Sequence, residues 1–153
     1  MTVTVLFDKT PKLIAALSGD RMGRAVVAGG FVLETAVKIS MSAASHTGRR
    51  YGGHQASAPG ETPAVDTGGL VNSIATELIS SSATDAWAQV GTDKDYAEAL
   101  EFGHVNRTRA GTEDVATFTQ PRPFMRPGYD NNVKKIEDAI RKFAKMEIEQ
   151  ATR

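Results

Sequence analysis

The chain has 153 residues, 41% of them hydrophobic and 24% charged, which is enough for one soluble domain with a real core. Its 18 basic and 18 acidic residues cancel, so it lacks the basic excess of a general nucleic-acid binder, and a small protein near neutrality tends to associate. There is no cysteine, which excludes disulfides and thiol chemistry and fits folding in a reducing cytoplasm.

The start, Met1 to Asp8, lacks the basic residues and long apolar stretch of a signal peptide. No apolar run approaches the ~20 residues needed to cross a bilayer, so no membrane is expected as a partner. Thr2 to Phe7 alternates loosely and predicts a short strand or an extended arm. Thr10-Pro11 reads as an N-cap followed by a first helical residue, with a helix to about Leu17 and a kink or break at Ser18-Gly19-Asp20. From Arg21 to about Ser45 the spacing is helical: Met22, Val26, Gly29, Leu33 and Ala36 step by four and three, with Ala25, Val32 and Ile39 alongside. Such a helix is on the order of 35 Å long. Gly23, Gly29 and Gly30 each weaken it by roughly 1 kcal/mol relative to alanine. They either let a neighbouring element approach closely or are merely tolerated, and the pattern does not choose.

His46 to Gly69 is rich in glycine and proline and has no apolar run. A loop of this length is uncommon inside a compact domain and is expected to be functional, disordered, or ordered by a neighbour. Its first part holds His46, Arg49, Arg50, Tyr51 and His54, with no acid before Glu61. Such a cluster is either a solvated loop or a contact for an acidic partner surface or DNA phosphates, with protein contact favoured over DNA. Asp66 or Thr67 caps a short helix opening at Leu70. Asn72 to Ser80 and Ala86 to Gly91 alternate as a hairpin around Ser80 to Asp85, with Trp87 expected at the sheet–helix seam.

Asp95 can cap a short helix in which Tyr96, Ala99, Leu100 and Gly103 share a face, and Gly103 can end it in a left-handed conformation. Glu101 sits at the edge of that face, either as a solvated carboxylate, the commoner outcome, or as a partnered one that fixes how the next loop leaves. His104 to Asp114, with Arg107 and Arg109, reads as a second mobile loop. Val115 to Thr119 reads as a third strand, pairing beside Trp87 to Val90. Pro121 and Pro123 keep the chain extended, Phe124 and Met125 enter the core, and Arg122 or Arg126 is the expected partner of Glu101 through a two-pronged guanidinium contact. From Gly128 a strong helix follows, with Tyr129, Val133, Ile136, Ile140 and Phe143 on one stripe. Met146 to Arg153 is expected to fray or to dock on a neighbour.

Three segments, Ala56 to Ile74, Val90 to Gly103 and Pro121 to Pro127, followed by a C-terminal helix, resemble the tail-component, neck or head–tail joining family of long-tailed bacteriophages. The resemblance covers about Thr47 to Arg153. It implies a structural virion protein without catalytic residues or cofactors, made in the host cytoplasm and placed at the neck or tail end. It also implies a homo-oligomeric ring, a hexamer or dodecamer, that meets head-closure proteins on one side and the tail terminator or tail tube on the other. Double-stranded DNA would pass through the bore without sequence-specific binding. A tail terminator capping the tube has the same size and assembly mode.

Read from the residues alone, the fold is α+β: a small antiparallel sheet of three to four strands against a long N-terminal helix and a C-terminal helix, with long loops at 46–69 and 104–114. Interface candidates are Arg49, Arg50, Tyr51, His54, Glu101, Arg107, Arg109, Arg122 and Arg126. A metal-dependent hydrolase built from His46, His54 and His104 with Asp66 and Glu101 is the alternative of another class. None of these has the spacing of a metal-ligand motif, and the hydrolase elbow and phosphate-binding loop are missing too. A DNA-binding module using Arg49, Arg50, Arg107 and Arg109 is a third reading.

Overall fold

The computed structural model describes residues 20–82, 85–110 and 113–151. The N-terminal expectations (strand or arm, capped helix, break at Ser18-Gly19) lie outside these. Helices and small antiparallel sheets alternate in an α+β arrangement. In order they are α1 (Asp20–Ala43), β1 (Arg50–Tyr51), β2 (His54–Gln55), α2 (Gly69–Ser73), β3 (Ala75–Ser81), β4 (Ala86–Gly91), α3 (Ala97–Phe102), β5 (His104–Ala110), β6 (Glu113–Thr119), α4 (Met125–Asp130) and α5 (Val133–Ala151).

Among the described residues the strands do not form one sheet of three or four. They form three two-stranded ribbons, β1 with β2, β3 with β4, and β5 with β6. The expected third strand therefore pairs with His104 to Ala110, not with Trp87 to Val90, in a register running from His104 opposite Thr119 to Ala110 opposite Glu113. The stretch expected as a mobile loop is thus half of a regular ribbon. Its alternation is masked because polar residues stand on both faces; only the length of the two runs and the Gly111-Thr112 between them betray a hairpin.

The chain packs as two compact units, one from residues 20–32, 76–90 and 133–151, the other from 33–75 and 91–132. In the first, the leading half of α1 meets β3 and α5. A methyl group placed on Gly29 would lie 2.6 Å from Cγ1 of Ile140, and one on Gly23 would lie 3.1 Å from Leu78 and Ser81. Gly30 is pressed against Thr76. The glycines are therefore contact points, where absent side chains let a strand and a helix come in close. Near the start of α1, Arg24 donates two 3.0 Å hydrogen bonds to the Glu147 carboxylate, with Arg21 3.8 Å away. Ile140 beside Gly29 and Glu147 beside Arg24 make α5 antiparallel to α1.

The buried side of α1 matches the expected stripe only in part: Ala25 and Gly29 are buried as expected, but Met22, Val26, Leu33 and Ala36 are only half-buried. Ala25, Ala28, Val37 and Met41 are buried, whereas Phe31 and Ile39 are 54% and 60% exposed. Small residues share the packing with Val37 and Met41, so side-chain size does not mark the inner face. By length and composition alone α1 also passes for a membrane-crossing helix, contrary to the expectation above, because alanine, valine and glycine raise its hydropathy. Trp87, expected at a seam, is 66% exposed.

In the second unit Val37, Met41, Leu70, Ile74, Ala97 and Phe124 are buried, and Gly128 lies directly on the Val37 side chain. Phe124 enters the core as expected and Met125 is half-buried. The C-terminal helical region is two helices, with Asn131 and Asn132 between α4 and α5. Pro127 falls in the first turn of α4, where its missing amide costs no hydrogen bond. α5 continues to Ala151, through most of the segment expected to fray.

Candidate functional site

The helix ends in the second unit explain its most unusual polar contact. α3 runs Ala97–Phe102 and stops at Gly103, whose φ of 74° and ψ of 170° form a conformation open to glycine rather than the left-handed helical one expected. A side chain at Gly103 would also strike the Thr119 carbonyl, at 2.6 Å. This turn holds the last residues of α3 against the extended run 121–124: the Arg122 amide donates to the Leu100 carbonyl at 2.6 Å. One residue on, the Glu101 carboxylate accepts the backbone amides of Phe124, Met125 and Arg126 at 2.8, 3.0 and 3.0 Å.

Glu101 is therefore partnered, but not by the guanidinium of Arg122 or Arg126 as expected. Its ligands are amides at the start of α4, which would otherwise lack acceptors, and a negative group there also meets the positive end of the peptide dipoles. Phe124 itself has no side-chain cap to offer, so a neighbouring helix supplies one. The Arg122 side chain turns elsewhere, its Nε donating to the Ser57 carbonyl at 3.1 Å and a terminal nitrogen to the Gln120 carbonyl at 3.4 Å. Arg126 contributes its amide, while its side chain is exposed. The caps expected at Asp95 and Asp66 are not made; Thr67 Oγ1 only accepts the Gly69 amide at 3.4 Å.

The long segment after α1 is ordered by its own chain. The β1–β2 ribbon is extended by the Gly48 amide donating to the Ala56 carbonyl and the Ala56 amide donating to the Arg49 carbonyl. Ala58-Pro59-Gly60-Glu61 forms a turn closed by the Glu61 amide and the Ala58 carbonyl at 3.1 Å, with proline second and Gly60 third at φ 83°, the requirement of a type II turn. The turn returns the Glu61 carboxylate to accept from the Thr47 amide at 3.0 Å, the Thr47 hydroxyl at 2.5 Å and the Ala58 amide at 2.7 Å. These bonds, the Thr47 hydroxyl foremost, hold the Glu61 carboxyl at about 2, well below its ordinary range. His46 lies beside it with Nδ1 3.9 Å from the carboxylate, and that nitrogen is buried without a hydrogen bond.

Glu61 was legible only as the first acid of the loop, although the Pro-Gly turn before it was a usable sign of its return. At the far end of the ribbon the candidates Arg49, Arg50 and Tyr51 come together, all exposed, with the Arg49 guanidinium 5.2 Å from the centre of the Tyr51 ring. His54, opposite Tyr51, has its Nδ1 3.9 Å from Asp66. Arg107 stands exposed on β5, and Arg109, opposite Asp114 in register, belongs to the same strand. A cavity of about 370 Å³ in this unit is walled by Met41, Pro63, Leu70, Tyr96 and Leu100, with His54 and Arg122 at its polar side.

The three histidines do not converge. His46 faces Glu61, His54 faces Asp66, and His104 Nε2 is 2.9 Å from Asn106. Among the described residues, no three histidine, aspartate or glutamate side chains come together as a metal site would require. The feature the sequence did not signal is the exposed apolar surface: Phe102, Val105 and Phe118 are 62%, 57% and 54% exposed, with Val105 directly opposite Phe118. No family model, no curated protein and no solved structure matches the chain.

Proposed function

We propose that this chain is a structural subunit of a long-tailed bacteriophage particle, closing with copies of itself into a ring at the neck or tail end. The ring joins head-closure proteins to the tail tube and leaves a bore for DNA. The observation that carries the reading is the amount of large apolar side chain left uncovered in both units. Phe31, Ile79 and Trp87 in one, and Ile39, Tyr51, Phe102, Val105 and Phe118 in the other, are each more than half exposed. Scattered single apolar residues are ordinary on a surface, but this many aromatic and branched side chains suit a subunit whose neighbours cover them. The resemblance of the three segments adds to it, since two of them are the pieces that Glu101 locks together.

A ring needs a head-to-tail contact that repeats around an axis, and two different surfaces on one unit provide it. The test is genetic and structural. Particles assembled without this polypeptide should accumulate as separate filled heads and finished tails. Particles that lack it yet carry firmly attached tails and infect normally would refute the reading.

A further inference from the structure

We propose that the β1–β2 tip of one copy docks on the exposed stripe of α3 in a second copy, with Arg49 and Arg50 against Asp95 and Glu98 and Tyr51 against Phe102. The contact rests on the ring reading above and names its two surfaces.

Asp95, Glu98 and Phe102 are spaced three and four apart and so share one side of α3 and its leading turn. All three are exposed, whereas Ala97 is buried and Glu101 is turned inward to the α4 amides. The stripe is thus an acidic and aromatic face that none of the described residues covers. The β1–β2 tip has the opposite sign. Of the two acids near it, Glu61 is committed to Thr47 and Ala58 at the base of the ribbon, and Asp66 lies 3.9 Å from His54, so neither pairs with Arg49 or Arg50. Among the described residues, none of Arg49, Arg50, Asp95 and Glu98 makes an ion pair.

The tip is also prepared for contact. Arg49 rests on the Tyr51 ring, which reduces the freedom its side chain would lose on binding, and Gly52 and Gly53 leave open space around it. Arginine and tyrosine are the residues that most often anchor protein interfaces. A chain of zero net charge that separates its charge into a basic tip and an acidic stripe carries both halves of a heterologous contact. The acidic stripe on the same unit disfavours DNA as the occupant of the tip.

Because the chain has no cysteine, the full-length variants Arg50→Cys and Glu98→Cys each carry a single thiol. Mixed under assembly conditions and treated with a short thiol-to-thiol cross-linker, they should link to each other in excess of either variant alone. Arg50→Glu should weaken self-association roughly tenfold or more, and adding Glu98→Arg to the same chain should restore it. Both side chains are exposed, so an unchanged circular dichroism spectrum verifies that the variants fold. Unaltered self-association in Arg50→Glu, with no link between the unlike variants, overturns this contact and leaves the ring reading standing. Loss of duplex DNA binding in Arg50→Glu with self-association intact overturns it in favour of nucleic acid. Failure of the wild-type chain to associate, alone or with head-closure and tail proteins, removes the ring reading and the contact together.

Discussion

Two carboxylates, Glu101 and Glu61, hold the second unit's loops, and both do so by accepting from backbone amides. For the partly buried Glu101, hydrogen bonds to a charged group are worth about 1.5–3 kcal/mol each, although three on one carboxylate do not add fully. Glu101→Gln replaces an accepting oxygen by an NH2 that faces amide donors, so it should lower stability by about 2 kcal/mol or more in urea unfolding. Arg126→Ala, which removes an exposed side chain but keeps the amide, should stay within about 0.5 kcal/mol of wild type. If the two variants behaved alike, the amide cap would be the wrong account. Glu61 gives a pH signature. Its folded carboxyl titrates at about 2 against an ordinary 4.5, so below 4.5 the unfolded chain binds a proton that the folded chain refuses. The stabilisation is complete above 4.5 and disappears as pH falls to about 2. The difference in unfolding midpoint between wild type and Glu61→Gln should therefore be largest near neutrality and vanish toward pH 2. A constant difference across that window would contradict the assignment.

At the scale of elements, α1 shows why glycine in a helix is ambiguous until its neighbours are known. Gly29→Ala gains about 1 kcal/mol of helix propensity, but its methyl would lie 2.6 Å from Cγ1 and 2.8 Å from Cδ1 of Ile140. The contact should win and the variant should be less stable, with Ile140→Val in the same chain recovering part of the loss, as calorimetry can measure. A more stable single variant would mean that the two helices separate freely. Trp87, the chain's one tryptophan, should emit as a solvent-exposed indole and be readily quenched in the dissociated chain. Periodicity made α1, the hairpin of β3 and β4, the short helices at Leu70 and Tyr96, and a C-terminal helix legible. It did not reveal β5, because His104, Asn106 and Thr108 alternate with Val105, Arg107 and Arg109 as polar against mostly polar. Nor did it give the partner of Glu101, since backbone amides leave no trace in the identity of residues.

For the whole molecule, the α+β class was readable, whereas the exposure of Trp87, Phe102, Val105 and Phe118 was not. An apolar side chain signals burial somewhere, and the sequence does not say whether its own chain or a neighbour provides it. The candidate residues likewise fall into three places: Arg49, Arg50, Tyr51 and His54 on one ribbon, Arg107 and Arg109 on another, and Glu101 with the amides of the segment holding Arg122 and Arg126. Of these, Arg49, Arg50, Tyr51 and Arg107 are exposed as on a contact surface, while Glu101 holds the unit together. The central claim is that these displayed surfaces are met by sister copies. Mass measurement of the native protein in solution, alone and mixed with head-closure and tail-tube proteins, tests it most directly. The account predicts a closed assembly with a fixed number of copies, in the mixture if not alone. A single-copy mass at every concentration and in every mixture would contradict it.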